Sequence, residues 1–416
     1  MNEFTSNLLS ALTLRAGFNS ALVCIGAALL GIAAGSVGTY ALLRRRSLAS
    51  DAAGHATLPG LVIVFILLSW LSGDARWVPA LMLGAACSAA VGLASVQLIH
   101  SRSRLPEDAA IGIVLSVFFG VGIVLMTVAQ NLQTGQQAGL AAYLLGSAAS
   151  MLRNEAQLIA AAAFLLSLVI YALRRPLNLV CFDPDYARVQ GLSVQRMDLA
   201  LNILLLTVVV ISLKVVGLVL SVALTIIPAV AARFWTDNTR HMVTVAATLG
   251  GAGGYIGAAL SSSTENLPTG AVITLTLFSI FLASLLLAPA RGVLATLLRH
   301  LSFRRRVHRR QGLLALYRGE PIYDGLTLKL LRKAAWIRRD GVATPAGAIA
   351  AQRAARDEQL WTLLRKRHSS NKLARQYHQL VPIRHVLSED ALHELERELQ
   401  ARASEDQGQE EDHGRH

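Results

Sequence analysis

Asp51 and His55 stand four residues apart in the stretch Arg44-Arg-Arg-Ser-Leu-Ala-Ser-Asp-Ala-Ala-Gly-His-Ala-Thr-Leu-Pro-Gly60. In a helix that spacing puts a carboxylate and an imidazole one turn apart on one face. Oxygen and nitrogen donors so placed can share a divalent cation, and the lack of a thiolate disfavours copper(I) or a structural zinc site. The spacing alone is unspecific, because a hydrogen bond at a helix end accounts for it equally well. Its setting matters more: ionisable groups near a membrane segment are costly unless used. Glu265, before Pro268, is a second candidate, either attracting cations or serving as an ordinary solvated loop acid.

Other chemistries are excluded by pattern. No Gly-x-x-x-x-Gly-Lys-Ser/Thr loop occurs, and the glycine cluster at 250–257 lacks the lysine and sits in an apolar run. Any ATP hydrolysis therefore belongs to another chain, and this one reads as no enzyme. Three cysteines (Cys24, Cys87, Cys181) form no CxxC pair and exclude a disulfide scaffold. The first strongly apolar run starts near Phe18, with no convincing cleavage site after it, so a cleavable signal is not expected.

The elements that must position these residues follow from composition. Of 416 residues, 53% are hydrophobic and 16% charged, where a soluble domain averages about 25% charged. Residues 1–298 carry 27 charged side chains and residues 300–416 carry 37. Such a step implies lipid around the first part of the chain and water around the second. Crossing a bilayer takes about 20 apolar residues in a helix. Runs at 18–43, 78–99, 109–130, 156–173, 198–213, 215–235, 241–262 and 268–289 qualify or nearly so. A ninth, 58–72, reaches that length if its helix begins near Ser47, which places Asp51 and His55 on it. The apolar piece 139–151 is too short to span and reads as re-entrant or interfacial.

Alternating the loops groups Arg44, Arg45, Arg46, Arg102, Arg104, Arg174, Arg175, Arg188, Arg196 and Arg240 on one side, with Arg304–Arg306. Arg15, Arg76, Arg153 and Lys214 fall on the other. The positive-inside rule then predicts nine crossings, the N-terminus outside and the C-terminus in the cytoplasm. Gly31 with Gly35, Gly250 with Gly254 and Gly253 with Gly257 have the spacing that lets helix backbones approach in lipid. Pro228 predicts a kink in its span.

Three segments carry a family resemblance: Leu48, Asp51, His55, Pro59 and Gly60; then Gly217, Pro228 and Ala232; then Pro268-Thr269-Gly270. In this order, over roughly residues 15–295, the chain resembles the ABC-3 integral-membrane permeases that import zinc, manganese or iron(II) in bacteria. The resemblance implies a bacterial cytoplasmic (inner) membrane permease paired with a second copy or a paralogue. It also implies a separate ATPase, an extracytoplasmic metal-binding protein, and a transported divalent ion with no permanently bound cofactor. Asp51 and His55 match the positions proposed to line the metal route. The polar interval from Phe182 to Met197, with Asp183, Asp185 and Gly191, resembles the loop whose short coupling helix docks on the ATPase; a plain connecting loop is the alternative.

Beyond the spans, the run Arg304–Arg310 suits stop-transfer anchoring and attraction to anionic lipid. Short helices are predicted at 312–318 and 326–336, then a turn or small hairpin over 337–347. A helix follows from Ala346 to about Lys366 with Thr344 capping before Pro345, and a last one over Ser388–Arg402. The order resembles the winged-helix and dimerisation segments of iron- and manganese-dependent repressors, through Thr344–Gly347, Leu360-Trp361 and His385–Ser388. Where that family places metal ligands, this chain has Glu358, Thr362 and Arg384, with His378 and His385 nearby.

The expected architecture is an all-α polytopic membrane protein of about nine transmembrane helices with a small soluble α tail, winged-helix-like and with little β. Its expected divisions are a permease domain 1–298, a cytoplasmic repressor-like accessory domain 299–403 and a disordered acidic end 404–416. The expected function is the permease subunit of an ABC importer of divalent transition metals. A membrane-tethered metal-responsive regulator and a siderophore or cobalamin permease are the alternatives; nucleic-acid binding is the less favoured use of the basic tail.

Overall fold

The computed structural model describes residues 2–71, 77–131, 153–263, 267–367 and 380–413. These form fifteen α-helices and no strand, in two compact units, Met1–Ala295 and Thr296–His416. The piece 139–151, Glu265 and His378 lie outside the described residues.

In the first unit, α1 (Asn2–Leu12) precedes α2 (Phe18–Leu43), α3 (Ser47–Leu71), α4 (Val78–Arg102), α5 (Glu107–Asn131) and α6 (Arg153–Phe182). Then come the short α7 (Pro184–Val189), α8 (Val194–Val215), α9 (Leu218–Trp235), α10 (Thr239–Ser262) and α11 (Thr269–Leu287). All nine apolar runs are helices, and among the described residues eight are long and apolar enough to cross a membrane. The ninth, α9, has 18 residues. It starts later than the run at 215 because Gly217 adopts φ 89° as its N-cap, a conformation that suits glycine alone without strain. Helix α1 was not anticipated; Tyr255 of α10 donates a hydrogen bond to the Leu12 carbonyl at its end, 2.6 Å.

Helix α2 is central. Two thirds of its apolar stretch is buried, against 22% in α5, α6 and α11, whose remaining faces are left for lipid. Leu30, Ala33, Ala34, Val37 and Tyr40 of α2 share one core with Leu201, Leu205 and Val208 of α8 and Ile159 and Leu177 of α6. Against α10 the contact is backbone to backbone. A Cβ on Gly31 would strike the Gly250 carbonyl, and one on Gly250 would strike the Gly31 carbonyl. Small-residue spacing thus becomes intimate helix packing.

In the second unit, α12 (Val293–Arg318, beginning just before it) runs unbroken through the basic stretch, longer than the helix expected at 312–318. Helix α13 (Gly325–Lys333) stops short of Trp336, the chain turning at Ala335 with φ 55°. The expected turn or small hairpin is a turn closed by one antiparallel bridge between Ile337 and Ala343. Helix α14 (Pro345–Arg367) is capped as predicted, the Gly347 amide donating to Thr344 Oγ1 at 3.1 Å. Helix α15 (Glu389–His413) continues past Arg402 through strong helix formers such as Ala, Glu and Gln, so the acidic end is helical as far as His413.

The tail holds two small cores. Leu313, Leu331, Ile337 and Ala351 form one; Leu360, Trp361, Leu364, Ile383 and Leu395 form the other. Trp361 Nε1 donates to the Val381 carbonyl at 3.0 Å. Asp324 caps α13, and the hydrogen bonds it accepts from the Thr327 hydroxyl and amide hold its carboxyl below the ordinary range. Burial pushes the Asp357 carboxyl up, partly offset by Arg310, Arg384 and His385.

Three outcomes follow. Gly250→Leu forces α2 and α10 apart and lowers the thermal midpoint of the detergent-purified protein, an overpacking loss of about 3 kcal/mol. Gly120→Ala on α5, where an added Cβ meets nothing within 4 Å, leaves that midpoint unchanged or raised. In the tail, a carboxyl whose folded pKa is raised opposes folding while charged, and the penalty vanishes below the unfolded pKa near 4. Asp357→Asn therefore slows amide exchange in α14 at pH 7 and has no such effect at about pH 3.5.

Candidate functional site

The site begins at a tight turn. Helix α2 ends with Arg45 in the left-handed region, φ 58°. The Arg46 amide donates back to the Ala41 carbonyl at 2.8 Å and the Arg45 amide to Leu42 at 3.0 Å. This C-capping pattern usually takes glycine. Here it sends Arg44 and Arg46 toward one partner. Arg44 grips Asp198 of α8 with two nitrogens, Nε–Oδ1 2.9 Å and Nη2–Oδ2 2.7 Å, and donates to the Val180 carbonyl at 3.2 Å. Arg46 reaches the same Asp198 oxygen at 3.3 Å and Glu107 of α5 at 3.7 Å. The ends of α2, α5 and α8 are thus joined by charge at one end of the bundle. A cleft of about 590 Å³ opens beside the cluster, lined among others by Arg46, His100, Glu107, Gln195 and Asp198.

Helix α3 starts from this cluster. At 1.5 Å per residue, Asp51 and His55 lie about 6 Å and about 12 Å along it from Ser47. His55 Nε2 is 3.4 Å from Asp51 Oδ1, and the side chains are 19% and 37% exposed, so the pair is open on one side. The imidazole stands edge-on to Phe119 of α5, ring centroids 5.0 Å apart. Its Nδ1 is buried with no hydrogen-bond partner. A buried ring nitrogen without a partner is costly, and a neutral imidazole nitrogen is a transition-metal ligand. The carboxylate and imidazole suit manganese(II), iron(II) or zinc(II). Two donors do not complete a coordination sphere, and among the described residues no group of three or more His, Cys, Asp or Glu could hold a metal ion.

The remaining motif residues set the scaffold. Pro59 sits inside α3, and a Cβ on Gly60 would collide with the Gly84 carbonyl, so α3 and α4 touch one turn beyond His55. Pro228 lies within α9, 3.4 Å from where a Gly250 Cβ would stand. Pro268 precedes α11, whose buried Thr269 and Gly270 form its first turn; Ser261 Oγ and Thr269 Oγ1 are 3.1 Å apart. In the polar interval, Asp183 caps α7 by accepting from the Tyr186 amide at 2.9 Å. Asp185 pairs with Arg188 at 2.6 Å, and Gly191 takes φ 81° before Ser193 caps α8. Tyr186 and Val189 on α7 are exposed. In the tail, Glu358 is taken by Arg310 at 2.8 Å and the Thr362 hydroxyl by the Glu358 carbonyl at 2.8 Å. Neither is left for a metal.

Spacing shows the Asp51–His55 pair, whereas the Arg44–Asp198–Arg46–Glu107 cluster and Phe119 escape it. Their partners lie 61 to 154 residues apart in sequence, and a lone sequence has no signal linking them.

Comparison with known proteins bears on the first unit. The model of the family described as "ABC 3 transport family" matches residues 19–288. A manganese transport system membrane protein, MntC of Bacillus subtilis, is 40% identical over 299 residues, 72% of this chain and 68% of that protein. A zinc transport system membrane protein, TroC of Treponema pallidum, is 41% identical over 285 residues, 68% of this chain and 93% of that protein. A solved structure titled "PsaBC from Streptococcus pneumoniae in complex with Fab" aligns with TM-score 0.60 and 27% identity, covering 72% of this chain and 99% of that one. The family match ends at residue 288, before the tail begins.

The ion cluster makes its own prediction. Asp198 and Arg44 are only 15% and 17% exposed, and removing one partner of a largely buried pair strands the other charge. Asp198→Ala therefore costs about 3 kcal/mol, read as a lowered unfolding midpoint in detergent, and Asp198→Asn costs less because its amide oxygen still accepts.

Proposed function

The chain belongs to the ABC 3 transport family, and we propose that it carries divalent manganese, zinc or iron ions across the bacterial cytoplasmic membrane as the permease subunit of an ABC importer. The observation that supports this reading most is the Asp51–His55 pair, open on one side, with a buried imidazole nitrogen that has no partner. The ion is the substrate. Asp51 offers it a hard, negative oxygen and His55 a nitrogen, while few ligands per chain keep the grip weak enough to release it. Because one chain supplies two donors, a second copy or a paralogue meeting this one at α3 brings the set to four.

In this reading residues 1–298 are the transmembrane permease domain and 299–403 an accessory domain on the cytoplasmic side, with the N-terminus outside. The arginine bias supports that orientation: Arg44 follows α2, Arg102 ends α4, Arg174 lies in the last third of α6 and Arg240 in the first turn of α10, ends that alternate crossings place on one side. ATP is hydrolysed on a separate subunit. Exposed Tyr186 and Val189 on α7 are its docking contacts, and Asp183 and Gly191 fix the ends of that helix. An extracytoplasmic metal-binding protein delivers the ion to the opposite face. Closure of the ATPase dimer rocks the paired bundles, and only contacts that differ between the two states drive such a change.

The test is metal uptake by a cell lacking its own high-affinity transport. Asp51→Ala and His55→Ala should each reduce manganese or zinc uptake at least tenfold at equal membrane abundance. Unchanged uptake in both rejects the route. A chain cut after residue 300 that restores full uptake assigns the tail an accessory role, and failure of that chain at normal abundance makes the tail part of the transport machinery.

A further inference from the structure

Apart from the metal pair, the first unit holds a second built feature. A cleft of about 390 Å³ is lined by Arg174, Arg175, Asn178, Leu179 and Phe182 of α6 and by Arg240 from the first turn of α10. Its lining has three guanidinium groups and no carboxylate. None of the three arginines forms an ion pair among the described residues. The nearby Asp237 is occupied by Arg291 at 2.5 Å. Arg174 lies over the Tyr171 ring, 3.9 Å from its centroid, which holds that guanidinium at the rim. Asn178 Oδ1 is buried and lacks a hydrogen-bond partner.

The cleft also terminates an apolar surface. Along α6, Phe164, Leu168 and Tyr171 follow one another at helical spacing and are 70%, 53% and 61% exposed. The next turn on that face brings Arg175, and Phe182 beyond it is 66% exposed. An exposed apolar stripe ending in unpaired cations, with an apolar floor between them, has the polarity of an amphiphile with an anionic head. A phosphodiester accepts from several guanidinium donors at once, and a hydroxylated headgroup donates to the Asn178 oxygen. Basic pockets between transmembrane helices are a recognised way of holding such headgroups.

We propose that the cleft formed by Arg174, Arg175, Asn178 and Arg240 binds the headgroup of an anionic glycerophospholipid, with an acyl chain lying along Phe164, Leu168 and Tyr171. The site is distinct from the basic run Arg304–Arg310, belongs to the membrane-embedded unit, and does not depend on which metal is carried. Bound lipid would tie α6 to the start of α10 at the end of the bundle where the Arg44–Asp198 cluster lies.

The experiment uses the full chain purified in a mild detergent without metal, and reads phospholipid retained in native mass spectra together with the unfolding midpoint. Phosphatidylglycerol should bind at least about tenfold better than phosphatidylcholine, as expected for two or three interfacial cations, and should raise the midpoint. Arg175→Gln with Arg240→Gln should abolish that preference, and the corresponding double lysine variant should keep most of it. If the double glutamine variant fails to purify as a single species, Arg175→Gln and Arg240→Gln alone should each lose about threefold. Equal binding of the two lipids, or an undiminished preference in the glutamine variants, overturns the proposal. So does a midpoint rise reproduced by millimolar inorganic phosphate, which marks a general anion site. Glutamine variants that keep the lipid preference and instead fail to co-purify an ATPase partner make the cleft a protein contact and overturn it as well.

Discussion

Hydrocarbon offers a peptide group nothing to hydrogen-bond with, and each backbone N–H or C=O left without a partner there costs several kcal/mol, on the order of a good hydrogen bond. The helices of the first unit answer that demand, which leaves side chains to decide only how the rods meet. They meet through smallness. Gly31 lies against Gly250, and Gly60 against Gly84, because an apolar side chain gains little by leaving lipid for another helix. Close approach in turn makes α2 the interior member and leaves α5, α6 and α11 their outward faces.

The same solvent sets the terms for polar groups. Charges gather where helices end and satisfy one another there, as Arg44, Arg46, Asp198 and Glu107 do. Asp51 and His55 are placed differently. They stand further along α3, incompletely satisfied, with Phe119 closing one side of the ring. A short structural path joins this pair to α7. From the cap at Ser193, the first turns of α8 bring Asp198, which holds Arg44 and Arg46 on either side of the turn that opens α3. The end of α2, the first turns of α8 and the turn that opens α3 are thus joined through one carboxylate.

The fold was legible where a physical demand repeats along the chain. Apolar length announces a span, and Ser47 as the start of α3 follows from the need to reach spanning length. Thr344 before Pro345 announced the start of α14. Legibility failed where an outcome hung on one residue's backbone. Gly217 with its positive φ shortened α9, and Ala335 ended α13 early. Helix α1 escaped notice for another reason: it is too short to span, and its anchor, the Tyr255 hydroxyl, lies 243 residues away.

From residue order alone came the two solvents, the nine apolar rods, the Asp51–His55 spacing and the short polar interval before α8, since each is a local property that composition and periodicity encode. The tertiary structure decided which rods touch, that Asp198 clamps the turn before α3, that Phe119 stands against His55, and that three arginines from two helices line one cleft. Those are pairings between residues tens to hundreds of positions apart. No local rule links such partners; they become neighbours only when small residues let particular helices come within reach of each other.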